Sequence, residues 1–291
     1  MSVINAGERL SSKVVQEHVT PELYEMFHEN TKLNKYKLKV LQYQLAENVS
    51  DSDFKPASLN NNKCYPTADI TELKVNYDYK ISLIEALGNR RSKRNFTGDE
   101  VPFNDLSSIL KYSGGISGGI KIGDREVPLR AYPSGGALYP LEIYLYANQV
   151  HGLERGIYHY NVRQDTLEKL RVINKSNELS RQFEIKDQSI EDASVTFIIT
   201  AMFHRTTYKY GNRGYRFIFI ELGHLMQNLS LMAVANDLGA CDIGGYEDGE
   251  LNALLDIDGV TEAVVGELAV GKCSEQNNEM PGIYRSGDQD Y

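Results

Sequence analysis

The chain has 291 residues, 41% of them hydrophobic, and its 31 Lys and Arg against 40 Asp and Glu leave a formal net charge of −9. That length accommodates one large domain, or one domain with a smaller appendage, around a substantial core. The acidic balance excludes a binder of nucleic-acid backbones, whose affinity draws on clustered Lys and Arg. Three widely spaced cysteines, Cys64, Cys241 and Cys273, form no C-x-x-C pair and leave at least one thiol unpaired, which fits a reducing compartment. No stretch reads as a signal peptide or as a membrane span, so the expected location is the cytoplasm. The six histidines lack any ligand spacing such as H-E-x-x-H, and no metal is expected.

In chain order, residues 11 to 47 hold two helical patterns, SKVVQEHVTPELYEMFHENT and KYKLKVLQYQLAE. Thr20-Pro21-Glu22 reads as an N-cap, a proline at the first helical position and an acid in the first turn. Asn48 to Thr67 is rich in Ser, Asn, Asp and Pro without periodicity, and reads as a linker or wrapping arm, with a boundary near residue 75. SLIEALGNRRSKRNF, from Ser82, is a short amphipathic helix that ends on Arg90, Arg91, Lys93 and Arg94. Such a cluster is usually a solvated charge run; guanidinium forks also suit a phosphate, because they donate paired charge-assisted hydrogen bonds.

A helix from Phe103 to Tyr112 leads into SGGISGGIKIGDREVP, which lacks the spacing of a phosphate-binding P-loop and reads as a flexible approach. RAYPSGGALYP, Arg130 to Pro140, cannot be a helix, because proline and adjacent glycines each disfavour one. It is a shaped loop in which Gly135 and Gly136 can adopt backbone angles closed to other residues and bring main-chain N–H groups close to a ligand. Leu141 to Ala147, Gly156 to Tyr160 and Thr166 to Arg171 read as consecutive strands, and the apolar run Val195 to Ala201 as a buried central one. The core is therefore expected to be a largely antiparallel sheet. FIFIELGHLMQNLSLMAVANDLG is a helix apolar on several faces, to be buried centrally or at a subunit interface, with Gly239 as its left-handed cap. CDIGGYEDGE reads as a turn before a short helix, Gly249 to Leu255, and EAVVGELAVGK as a last strand followed by Lys272.

RAYPSGGALYP followed by Glu142 resembles the signature of the SagB/McbC-type dehydrogenases. These are flavin enzymes of thiazole and oxazole peptide biosynthesis within the FMN-dependent nitroreductase superfamily. Matching stretches run from Leu87 to Lys272, and RRSKR, AYPSGGALYP, QNL and IGGY occur in the order of the nitroreductase core. The resemblance implies an α+β, nitroreductase-like fold: a mainly antiparallel sheet flanked by helices, assembled as an intertwined homodimer. Residues 76–291 would form the FMN-binding domain and residues 1–75 a helical extension and arm. Within that extension HENTKLNKY, His28 to Tyr36, is similar to a segment near the N-termini of SagB-type proteins, which suggests contact with a substrate peptide or partner subunit; a helical cap on the core is the plainer reading.

The resemblance further implies FMN as cofactor, with Arg90, Ser92 and Arg94 on its phosphate and ribityl chain and Lys272 as a further phosphate contact. Pro133, Ser134, Gly135, Gly136, Gln227, Gly244 and Gly245 would lie along the flavin. Lys209 and Tyr210 match the pair placed beside the flavin in azoline dehydrogenases. The activity it implies is oxidation of thiazoline or oxazoline rings in a ribosomally made precursor peptide, in a possible complex with cyclodehydratase subunits. Proton removal by the pair would accompany hydride transfer to the flavin, which oxygen then reoxidises. The same scaffold could serve a nitroreductase, a peptide dehydroamino-acid reductase, or a docking subunit without chemistry of its own.

Overall fold

The computed structural model describes residues 22–50, 62–79, 81–122, 125–173 and 192–274. In chain order its elements are α1 (Leu23–Asn30), α2 (Lys35–Ser50), β1 (Asp69–Glu72), α3 (Leu83–Asn89), β2 (Val101–Pro102), α4 (Phe103–Gly114), β3 (Ile116–Ile122), β4 (Arg125–Arg130), β5 (Leu141–Ala147), β6 (Val150–His151), β7 (Gly156–Asn161), β8 (Thr166–Val172), β9 (Val195–Met202), α5 (His204–Tyr210), α6 (Gly214–Ala235), β10 (Gly239–Ile243), α7 (Asp248–Leu254) and β11 (Glu262–Gly271). Seven strands form one sheet in the order β1-β8-β7-β5-β9-β11-β10, every neighbouring pair antiparallel.

The apolar runs of β5 and β9 follow from cover on both faces of this sheet. Successive strand residues point to opposite sides, so Leu141, Ile143 and Leu145 pack with Leu106, Ile109, Leu110, Ile218, Leu225 and Leu229 of α4 and α6. Tyr144 and Tyr146 point the other way, toward Ile198 and toward Leu251 and Leu254 of α7. Each such side chain, fully buried, contributes about 1.5–3 kcal/mol. The end of α4 presses on β5 so closely that a Cβ on Gly114 would lie 2.4 Å from Ile143 Cδ1.

Several local expectations are corrected. The glycine-rich SGGISGGIKIGDREVP stretch is not an irregular approach: β3 and β4 pair within it as an antiparallel hairpin, with a register shift between Ile116 and Gly118. The first helix begins at Leu23 with Glu22 as its cap, and Glu22 and Glu25 form a reciprocal capping box; Thr20 and Pro21 lie outside the described residues. The left-handed residue after α6 is Asp237, with φ 57°, one of the polar residues that tolerates that region. Gly239 instead opens β10, where a Cβ would lie 2.2 Å from Cys273 Sγ.

The expected arm, Asn48 to Thr67, falls partly outside the described residues, at 51–61. Beyond it, β1 adds an edge strand to the sheet, pairing Asp69–Glu72 with β8. By length and composition the helical stretch 204–235 could cross a membrane. One face of α6 is buried in the chain itself, with Ile218, Glu221, Leu225 and Leu229, while Tyr215, Phe219 and Ile220 on the other face are exposed.

Candidate active site

The chain turns back on itself between β9 and α6, and the turn carries Lys209 and Tyr210. The short helix α5 ends at Gly211, whose φ of 56° breaks the helix before α6 begins. This places Lys209 and Tyr210 in a last helical turn beyond the end of the central strand β9, half-buried. Burial alone lowers the Lys209 ammonium below its usual range. Burial, then the Glu221 carboxylate, raises the Tyr210 phenol. The Lys209 ammonium lies 5.4 Å from the Tyr210 ring centre, and that ring packs edge-on to Phe217 at 4.9 Å.

The PSGG loop meets this pair. Its shape is held by the Tyr139 N–H donating to Ser134 Oγ at 2.9 Å, the Gly135 N–H donating to Glu221 Oε1 at 3.0 Å and the Arg130 N–H donating to Tyr139 Oη at 2.9 Å. Gly136 sits at φ 70°, and the loop holds two further residues, Ala137 and Tyr139, in the left-handed region. A Cβ on Gly136 would lie 2.7 Å from Lys209 Nζ and 2.8 Å from Tyr210 Oη. Residues some 70 positions apart in the chain thus share one cradle, floored by a glycine whose positive φ strains any other residue and whose Cβ would press on the tips of the pair. Pro133, beside them, is exposed.

Behind the pair runs a buried polar network that sequence reading passed over. Arg205, one turn before Lys209, donates to Glu142 Oε1 and to the Tyr139 carbonyl at 3.2 Å. Glu142 is 1% exposed. Its Oε2 lies 3.1 Å from His159 Nε2, and His159 Nδ1 lies 2.8 Å from Glu168. Burial pushes the Glu142 carboxyl up, but His159 and Arg205 outweigh it and bring it down to about 2. Burial likewise pushes the His159 imidazolium down, and its bonds to Glu142 and Glu168 outweigh that and raise it. The network ties α5, the loop end at Tyr139 and strands β5, β7 and β8 into one rigid support. A lone histidine in the strand GIYHYN and the acid directly after the signature loop were its only sequence signals.

Glu221 was also missed, although it was legible. It is the single acid in FIFIELGHLM, three residues after Ile218 and four before Leu225, hence on the buried stripe. It is 2% exposed, and burial raises its carboxyl to about 7 despite the Gly135 and Ser134 hydrogen bonds and the field of Arg130.

A second group forms around β10. Ser92 bridges Ala240 in parallel, and the Lys93 N–H donates to the Ala240 carbonyl at 2.9 Å. Burial raises the Asp242 carboxyl, with Arg90 opposing it, and burial likewise raises the Cys241 thiol, with Arg94 opposing it. Lys272 lies next to the Phe96–Cys273 bridge and accepts the Thr97 N–H on its carbonyl at 3.0 Å. Gly244 and Gly245 follow at the end of β10, and a Cβ on Gly244 would meet open space. The structure therefore brings Arg90, Ser92 and Arg94 to the strand that leads into the IGGY loop. The Lys209–Tyr210 pair stands apart, toward the opposite end of the roughly 33 Å long α6, with Gln227 exposed between.

The antiparallel sheet is covered by helices on both faces, and residues 87–272 match the profile described as "Nitroreductase family". The chain belongs to the nitroreductase family. Among its relatives is the MJ1384 protein of Methanocaldococcus jannaschii, assigned by name to the nitroreductases, 33% identical over 65% of this chain and 91% of its own length. The trifolitoxin-processing protein TfxB of Rhizobium leguminosarum is 25% identical over 80% of the chain, and the microcin B17-processing protein McbC of Escherichia coli is 30% identical over 50%. The matches span 62% and 56% of those two proteins. Among solved structures, one from Anabaena variabilis, likewise assigned by name to the nitroreductases, superposes with a TM-score of 0.63 at 25% identity, over 84% of this chain and 45% of the other. The Escherichia coli microcin synthetase McbBCD complex with truncated pro-MccB17 shares the fold, with a TM-score of 0.53 at 22% identity, over 88% of this chain and 99% of the other.

Proposed function

We propose that the chain is an FMN-dependent dehydrogenase that oxidises thiazoline or oxazoline rings to thiazoles or oxazoles in a ribosomally made peptide. The observation that carries this reading is the meeting of Lys209 Nζ and Tyr210 Oη at the Gly136 cradle. Burial lowers the Lys209 ammonium and so favours its amine form, which can take the proton from the ring carbon, and the phenol beside it can steady or relay that proton. FMN, when bound, supplies the acceptor for the hydride that leaves the same ring. Its fit rests on the donor set: Arg90, Ser92, Arg94 and Lys272 offer cations and a hydroxyl to a phosphate, and Gly244 and Gly245 leave room for a flat ring. Pro133, Ser134, Gly135, Gly136 and Gln227 are assigned to the flavin side of the site. The apolar face of α6 with Tyr215, Phe219 and Ile220 supports a homodimer.

The processing roles in the names of the two peptide-related proteins support a peptide substrate. The N-terminal helices support the same idea. Arg213 donates to the Thr31 carbonyl at 2.8 Å, and Arg216 donates to Thr31 Oγ1 at 2.7 Å and to the His28 carbonyl at 2.7 Å. These bonds hold HENTK beside Tyr210, and Tyr36, Lys37 and Val40 line a groove with Tyr210 and Arg213. Incubating the flavin-loaded protein with an azoline-bearing peptide should remove two hydrogens per ring by mass spectrometry. A gain of two hydrogens from a dehydroamino-acid peptide would favour a reductase, and no change in either peptide would leave the docking role.

A further inference from the structure

The carboxyl of Glu221 is placed and partnered as a proton acceptor rather than as packing. Its residue is 2% exposed; Oε1 accepts the Gly135 N–H at 3.0 Å and the Ser134 hydroxyl also favours the carboxylate, yet Oε2 has no partner of its own among the described residues. A buried carboxylate left half-satisfied is costly, and the cost is relieved by taking up a proton. The groups that face it are the Arg130 guanidinium from β4, the Tyr132 phenol and Ser134 from the signature loop, and Tyr210 from α5. A Cβ on Gly135 would lie 3.5 Å from Phe217 Cδ2, 3.7 Å from Tyr210 Cε2 and 3.8 Å from Glu221 Oε1. The acid and the tyrosine therefore flank the same glycine, one residue before the glycine that meets Lys209.

We propose that Glu221 is the second proton acceptor of this site, receiving by way of Tyr210 the proton that Lys209 removes from the substrate carbon. The inference rests on the Lys209–Tyr210 reading above. In the first step the Lys209 Nζ lone pair forms an N–H bond as the substrate C–H bond breaks. In the second the Tyr210 hydroxyl, which makes no hydrogen bond to Glu221 in this structure, closes on Oε2 with substrate bound, gives it a proton and takes one from the ammonium. The pair returns to neutral amine and neutral phenol, and the carboxylic acid later loses its proton to solvent. No electrons move in this relay; those of the oxidation go to the flavin. The carboxyl, raised to about 7 by burial, exchanges its proton readily at neutral pH.

Glu221→Gln tests it, because the amide oxygen still accepts the Gly135 N–H and keeps the loop in place while proton uptake is abolished. The variant should retain flavin, leave KM for the peptide unchanged, lower kcat roughly 10²-fold and lose the acid limb of the kcat profile. Glu221→Asp should restore part of the rate with a displaced limb. Independently of activity and flavin, the carboxylic-acid infrared band of isotopically labelled wild-type apo-protein should lose a component near pH 7 that Glu221→Gln lacks. Titration of that component in the ordinary carboxylate range would overturn the proposal, and so would an unchanged pH profile in flavin-loaded Glu221→Gln. Lys209→Ala, measured in parallel, separates the two ideas. Wild-type turnover there sinks the Lys209–Tyr210 reading and the relay with it, whereas an inactive Lys209→Ala beside an unaltered Glu221→Gln sinks the relay alone.

Discussion

Lys209 and Tyr210 ordinarily titrate near pH 10; burial pulls the lysine down and pushes the tyrosine up, the direction that suits a base beside a proton donor. Lys209→Ala and Tyr210→Phe are each expected to keep FMN while lowering azoline oxidation by roughly 10²–10⁴-fold, the worth of a positioned acid–base group. Steady-state kinetics with flavin content read from absorbance checks this. A different residue sets a pH dependence of stability. Glu267 is fully buried, both carboxylate oxygens lack partners among the described residues, and burial raises its carboxyl from 4.5 to about 8. An acid with a raised folded-state value binds its proton more tightly folded than unfolded. Its full stability is present below the unfolded value and is lost as pH climbs through the folded one. Melting temperature should therefore fall between pH 4.5 and pH 8. Glu267→Gln should flatten that fall and stabilise the protein by roughly 1–3 kcal/mol at the alkaline end, on the scale of a relieved buried group. Equal slopes in wild type and variant would refute the assignment.

Among the elements, α5 is anchored to the sheet by Arg205 and Glu142, while Arg213, just before α6, and Arg216, in its first turn, grip the C-terminal end of α1. Phe27 adds an edge-on contact with Tyr215 at 5.3 Å. No described residue of α1 is buried, so this helix depends on those bonds for its position. The double variant Arg213→Ala, Arg216→Ala should speed hydrogen exchange across residues 22–34 while leaving the β5–β9 amides protected. If the extension guides the peptide, KM for a full-length substrate should rise with flavin content unchanged. An unaltered KM in a protein whose extension is demonstrably loosened would return it to the role of a helical cap.

At the scale of the whole molecule, α6 links the two clusters and leaves an apolar face to solvent. Tyr215, Phe219 and Ile220 are 39%, 41% and 56% exposed, a patch of the kind that marks an interaction surface. Ile220→Asp should convert a dimer to monomer in analytical ultracentrifugation, and a monomeric wild type would remove the homodimer from the proposal. The cationic edge of β10 has its own test. Arg90→Ala combined with Arg94→Ala should weaken FMN binding by several kcal/mol, given roughly 1.5–3 kcal/mol for each charged hydrogen bond. Lys111→Ala should not, because that lysine is already paired with Asp165. Full flavin occupancy in the double variant would make RRSKR a solvated charge run.

Placement of the inner strands was legible because it is local, whereas β1 and β10, the latter within a stretch read as a turn, were not. Unbroken apolar runs such as LEIYLYA and VTFIITA can only be buried on both faces, and a loop of prolines and paired glycines can only interrupt them. The same local logic placed the short helix from Ser82, the helix after Pro102 and the long apolar helix that begins near Phe217. It failed at SGGISGGIKIGDREVP, where glycines read as a breaker and cross-strand pairing overrode them, and at Gly239, kept small by Cys273 rather than by backbone angles. Only the tertiary structure could bring Gly136 against Lys209 and Tyr210, set Arg205 onto Glu142 and turn Glu221 toward the signature loop. Those contacts join residues far apart in sequence, and their distances, burial and titration depend on how the sheet and α6 close around them.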